Sequence, residues 1–204
     1  FTEGYTVRFA FIVAFSLMIV GCAPQYRVRE TVDEFSGSEN VAVVAEGNRI
    51  SAGSIAGGTH IDDSGVYVNP VLEKTPDGEI ISAAFMVYNS TSYDTNYGSP
   101  NSLGAINSLA FIADGEAIQT EMINSDVSTS ERTFYNSVSR SAGFDIRESA
   151  IFKTTTEDLR KLARAQSLRC QIKGSKRQVE YKDGDISKSF KGNLDSCVTN
   201  HLPK

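Results

Sequence analysis

Glu79-Ile80-Ile81-Ser82-Ala83-Ala84-Phe85-Met86-Val87-Tyr88 is the stretch on which the fold turns. Side chains alternate across an extended strand. Ile81, Ala83, Phe85 and Val87 therefore share one face, and Ile80, Ala84 and Met86 share the other. A strand apolar on both sides must be covered on both sides, so this one is expected at the centre of a sheet. Just before it stands Thr75-Pro76-Asp77-Gly78, a turn in which proline presets φ and glycine tolerates φ > 0. Val66–Leu72, on the far side of that turn, is the expected hairpin partner.

Further strands are expected on either side. Asp114-Gly115 suits a type I′ turn between Ile106–Ala113 and Ala117–Met122. A third pair is expected in Thr133–Val138 and Phe144–Phe152, joined through Ser139-Arg140-Ser141-Ala142-Gly143; Phe144, Ile146, Ala150 and Phe152 keep the two-residue period. Upstream, Tyr26, Val28 and Val32 lie evenly along one strand, and Val41–Val44 returns beyond a polar turn. Glu46–Gly65 and Asn89–Gly104 carry turn residues without periodicity and read as loops.

The last quarter changes period. Thr154 and Glu157 have capping-box spacing, and Leu159, Leu162 and Ala163 make one face of a short helix ending near Ala165. Leu168, Cys170 and Ile172 alternate, Gly174-Ser175 turns, and Val179 with Tyr181 returns. Ile186, Phe190, Leu194, Cys197 and Val198 then repeat at helical spacing, with Gly192 costing about 1 kcal/mol relative to alanine. Many short strands followed by two helices predict a mainly β fold, an antiparallel sandwich or half-barrel with two short C-terminal helices. The alternative is a two-layer α+β sheet with both helices on one face.

The N-terminus has a different character. Phe9–Gly21 is an apolar run without a charge, after Arg8 and ending in Ile19-Val20-Gly21-Cys22. A membrane-spanning helix needs roughly 20 apolar residues; this run is shorter and has the length of a secretory h-region. Ile19-Val20-Gly21-Cys22 resembles the lipobox of bacterial lipoproteins: an aliphatic residue, a tolerant position, a small residue, then cysteine. The resemblance implies cleavage before Cys22, acylation of Cys22 and anchorage in a lipid bilayer. Ala23, where an aspartate is absent, implies the outer membrane, with the domain facing the periplasm. Residue 1 is Phe, not Met, so the true start is expected elsewhere. Asp33-Glu34-Phe35-Ser36-Gly37 also resembles a hairpin of small proteobacterial lipoproteins that have no activity to lend. The expected organisation is a signal peptide at 1–21, a lipidated tether and first turn at 22–40, and one β-rich domain at 41–204.

With Cys22 assigned to lipid by that resemblance, Cys170 and Cys197 remain. In an oxidising compartment such a pair is expected to bridge, and closing that loop would contribute roughly 3 kcal/mol. Two buried free thiols are the other reading. Two cysteines without a third ligand cannot close a tetrahedral metal site, so no metal is expected. The net charge of −5 hides an asymmetry: residues 22–151 hold seven Lys/Arg and eighteen Asp/Glu, and residues 152–204 hold twelve and six. The basic residues alternate with acids, which reads as solvated faces, and nucleic acid is not an expected partner in that compartment.

Chemistry is sparse. His60 lies in Gly57-Gly58-Thr59-His60-Ile61-Asp62-Asp63, where imidazole beside Asp62 or Asp63 could act as a general base or ligate a metal. The plainer reading is a loop histidine, because catalysis also needs a positioned nucleophile. His201 lies near the end of the chain. Ser54 misses the Gly-x-Ser-x-Gly elbow, and the nearby glycines miss the phosphate-loop pattern. Asp94-Thr95-Asn96-Tyr97-Gly98 and Asp183-Gly184-Asp185 cluster oxygen donors but do not continue to the glutamate that closes a calcium loop. Tyr88, Tyr93 and Tyr97, among serines and asparagines, have the composition of a contact surface. The expectation is thus a membrane-anchored envelope lipoprotein, a binding or structural module for an envelope protein or the cell wall, without a cofactor. The alternative is a tethered hydrolase using His60 with Asp62 or Asp63.

Overall fold

A computed structural model describes residues 26–32, 39–51, 65–94, 102–130, 135–136 and 141–203. Among the described residues the chain forms two antiparallel sheets and two helices, and the sheets do not close into a barrel. The larger sheet runs β1 (Arg27–Val32), β2 (Val41–Glu46), β3 (Gly65–Lys74), β4 (Ile80–Asp94), β9 (Ser141–Thr154) and β7 (Glu121–Ser130), with β8 (Tyr135–Asn136) pairing to the start of β9. The smaller sheet runs β11 (Gln178–Tyr181), β10 (Leu168–Gly174), β5 (Ile106–Ala113) and β6 (Glu116–Gln119). The expected central strand is β4, held between β3 and β9.

Registry places Val68, Val87 and Ala150 in one row and Pro70, Phe85 and Phe152 in the next. Val68, Phe85, Val87, Ala150 and Phe152 join Leu109, Phe111, Leu168, Cys170 and Ile172 of the smaller sheet in one apolar core. Phe85 and Phe111 meet across the two sheets with ring centroids 5.4 Å apart. Burying one such side chain contributes roughly 1.5–3 kcal/mol.

Asp114 (φ 50°) and Gly115 (φ 89°) both adopt positive φ between β5 and β6, as the Asp-Gly signal required. After β6 the chain turns at Thr120, whose hydroxyl donates to the Leu109 carbonyl at 2.7 Å, and continues as β7 in the other sheet.

Two helices complete the core. α1 (Thr156–Arg164) buries Leu159, Leu162 and Ala163. Its cap lies one residue later than the sequence spacing indicates: Thr155, not Thr154, accepts from the Asp158 amide. α2 (Lys188–His201) buries Phe190, Leu194, Cys197 and Val198. Ile186, expected to open this helix, instead bridges to Ser51 in an extended pairing. α2 lies along β1, from the Tyr26–Asn193 contact to the His201–Glu30 contact.

Three further expectations are corrected. Residues 89–94, read as loop, continue β4 and pair with β9 down to Gly143. Their polar side chains hid the strand, and Asn89 is buried because it has a buried carboxylate to meet. Residues 141–143, read as turn, belong to β9. Ile81, expected on the core face, is 50% exposed, because the β3–β4 register shifts between Glu73 and Lys74.

Candidate functional site

Two polar centres join elements distant in sequence. The first surrounds the point where the described chain begins. Tyr26 donates its hydroxyl to the Asn193 carbonyl of α2 at 2.8 Å. The Asn193 side chain donates to Asn48 Oδ1 at 3.3 Å, and Asn48 donates in turn to the Val68 carbonyl at 3.1 Å. The Asn48 amide closes the group on Asn69 Oδ1 at 2.9 Å. Asn48 and Asn69 are fully buried, where unpaired polar groups are costly, so these bonds fix the entry of the chain against α2. Burial pushes the Tyr26 phenol well above its ordinary range, with Cys197 adding to the shift. On the outer face beside it, Arg27 and Arg29 both reach one Glu46 carboxylate, at 2.6 Å and 3.5 Å.

The second centre is Glu148, fully buried on the core face of β9. Its Oε1 accepts from Ser102 Oγ at 2.5 Å and the Gly104 amide at 2.7 Å. Oε2 accepts from Asn89 Nδ2 at 2.9 Å and the Leu103 amide at 2.7 Å. Four donors on one carboxylate replace the water lost on burial. The arrangement clamps the strand leading into β5 onto the larger sheet. From the other side, the Leu103 carbonyl accepts from the Lys176 amide at 2.9 Å, and the Ser175 amide donates to the Ala105 carbonyl at 2.9 Å. The fit is close: a Cβ on Gly174 would lie 2.1 Å from the Leu103 carbonyl oxygen. Gly104 holds φ +76°, where a side chain is strained. With a donor on each of its four acceptor directions, Glu148 is a structural clamp.

The sequence-derived candidates are spread widely. Cys22, His60, Asp62 and Asp63 lie outside the described residues, as do Tyr97 and most of the Asp94–Gly98 stretch. His201 sits at the end of α2, 3.2 Å from Glu30. Asp183 accepts from the Leu168 amide at 2.6 Å and the Ser167 hydroxyl at 2.9 Å. These two bonds hold its carboxyl below the usual range, which makes Asp183-Gly184-Asp185 a turn anchor. No cluster of three metal-ligating side chains exists among the described residues.

Cys170 and Cys197 are both buried as free thiols, and the bridge expected between them is absent from the structure. They occupy different neighbourhoods. Cys170 faces the core from β10, opposite Tyr181, while Cys197 sits on α2 against Tyr26. Burial raises both, Cys197 to about 11.

Glu148 was the residue to catch in the sequence. It interrupts the apolar alternation Phe144, Ile146, Ala150, Phe152 with a charge at a core position. Asn48 and Asn193 carried no comparable signal. Protein-family models, curated proteins and solved structures were each compared with the chain, and none matches.

Proposed function

We propose that this chain is a lipid-anchored envelope lipoprotein whose β-sandwich is a non-enzymatic binding or structural module held close against the membrane. The observation that carries the reading is the position of Tyr26. It is tied to α2 only four residues after the lipobox cysteine Cys22. A fully extended chain spans at most about 3.6 Å per residue, so the acylated cysteine stands within about 14 Å of the folded domain. A partner reached from such a mooring is one at the bilayer surface. Ala23 beside the cysteine supports the outer membrane, with the domain facing the periplasm. Among the described residues no helix is long and apolar enough to cross a membrane; the attachment proposed is acylation of Cys22. Two or more acyl chains anchor firmly where one binds reversibly.

Membrane fractionation of the parent and a Cys22→Ser form tests this. The parent is expected in the membrane pellet after a high-salt wash, and the serine form in the soluble fraction. Equal membrane retention of the two forms would sink the proposal. Cross-linking in intact envelopes is expected to join the parent to a membrane component, and a long flexible insert after Pro24 is expected to change the products.

A further inference from the structure

The larger sheet has two open edges among the described residues, and they differ in charge. β7 carries Glu121 and Asp126 with no Lys or Arg, and exposes Met122 (46%), Ile123 (36%) and Val127 (44%). No ion pair to Asp126 forms among the described residues. β1, at the opposite edge, carries Arg27 and Arg29 on its outer face, and these share the single Glu46 carboxylate. One positive charge is therefore left in excess on that outer face, while Glu30 of the same strand lies on the core side, 3.2 Å from His201. Open edges are templates for further strand pairing unless they are blocked.

We infer that β7 of one copy pairs with β1 of a second copy, continuing the larger sheet from molecule to molecule. Three features support this choice of occupant. Every neighbouring pair in the sheet is antiparallel, so the six strands alternate in direction. A second copy's β1 placed beside β7 keeps the alternation. β7 has a register shift between Met122 and Asn124 but runs regularly from Asn124 to Ser130, long enough to take all of β1 except Val32, which falls opposite Ile123 at the shift.

The register that sets Arg29 against Asp126 also sets Val28 against Val127. Asp126 pairs with Ser149 and Arg29 with Val44, both on the face away from the core. Val127 and Val28 lie on the core side, opposite Glu148 and Ala45. One register thus satisfies charge on one face and apolar contact on the other. A β7–β7 pairing would instead bring carboxylates together. The contact is heterologous and generates chains or rings of copies. A strand pair of this length is smaller than a stable dimer interface of roughly 1,200 Å² or more, so association is weak until copies are concentrated, as on a shared surface.

The inference is independent of the lipid anchor and is tested in the full chain carrying Cys22→Ser. One preparation carries Val28→Cys and another Val127→Cys; they are mixed and mildly oxidised, with Cys170 and Cys197 buried. The 28–127 product is expected to exceed either like-with-like product by about tenfold, a difference of about 1.4 kcal/mol in pairing. Arg29→Glu on the first copy is expected to remove that excess, and Asp126→Arg on the second to restore it. Equal yields of all three products would overturn the inference. So would a charge-reversed pair that fails to recover while each variant alone keeps the parent's circular dichroism.

Discussion

Replacing Glu148 with glutamine changes one oxygen of a carboxylate that accepts four hydrogen bonds. The geometry sets the cost. The new amide nitrogen must take the place of Oε1, facing the Gly104 amide, or of Oε2, facing the Leu103 amide. The Ser102 hydroxyl can rotate to accept, but a backbone N–H cannot. Either placement sets donor against donor in a buried site. Each stranded donor costs about 1–3 kcal/mol, so the variant is expected to lose about 2–4 kcal/mol of stability. Set against a typical total of about 5–15 kcal/mol, that is a large fraction. Urea unfolding reads it directly: with a slope of about 1–3 kcal/mol per molar, the midpoint falls by roughly 1–2 M. Hydrogen exchange locates the effect, because the Leu103 and Gly104 amides are expected to lose protection before the β3–β4 pairs do. A Glu148→Gln midpoint equal to the parent's, or unchanged exchange at those two amides, would refute the clamp. Glu148→Ala strands all four donors and is expected to fold poorly, which makes glutamine the informative change.

Cys197 offers a pH test. Its thiol is raised to about 11 in the folded state, so the native protein holds a proton that the unfolded chain releases near pH 9. The stabilisation is complete below pH 9 and is lost as pH rises toward 11, by about 3 kcal/mol over that window. Cys197→Ala is expected to remove that share of the alkaline decline in thermal melts and leave the share of Cys170, whose buried thiol is also raised, and neither Cys170 nor Cys197 is expected to react with a thiol reagent at pH 8 before unfolding. Asp183 acts in the opposite direction. Its depressed carboxyl contributes above the unfolded pKa and stops contributing as pH falls through the folded value, so Asp183→Asn is expected to shrink the loss of stability on acidification. Gly174→Ala, which drives a Cβ against the Leu103 carbonyl, is expected to destabilise by about 2 kcal/mol or more. Gly192→Ala in α2, with open space around it, is expected to stabilise by about 0.5–1 kcal/mol.

Alternation and turn chemistry revealed the middle of the fold. Phe85, flanked by Ala83 and Val87 with Ala84 and Met86 on the reverse side, marked β4 as central because only a doubly covered strand tolerates that pattern. Asp114-Gly115 marked its turn because few residues accept positive φ twice in succession. The polar continuation of β4 stayed hidden because Asn89 and Thr91 are buried polar residues, and Asn89 is satisfied by Glu148 from a strand that a local pattern does not contain. The crossing from β6 to β7 was hidden for a related reason. At Thr120 the chain leaves one sheet for another without a glycine or proline to mark the change. Glu148 was visible as a charge in an apolar stripe, but its donors come from Asn89 and from Ser102 to Gly104, more than forty residues away. The Tyr26–Asn193 tie spans nearly the whole domain and left no trace in either local segment.

The central claim is that residue 22 carries the lipid that moors the sandwich. Intact mass spectrometry of the protein purified from its native membrane addresses it most directly. A mature chain beginning at Cys22 and heavier by a diacylglyceryl group, with or without a third acyl chain, is the expected result. A free thiol at Cys22, or a native product that retains residues 1–21, would contradict it.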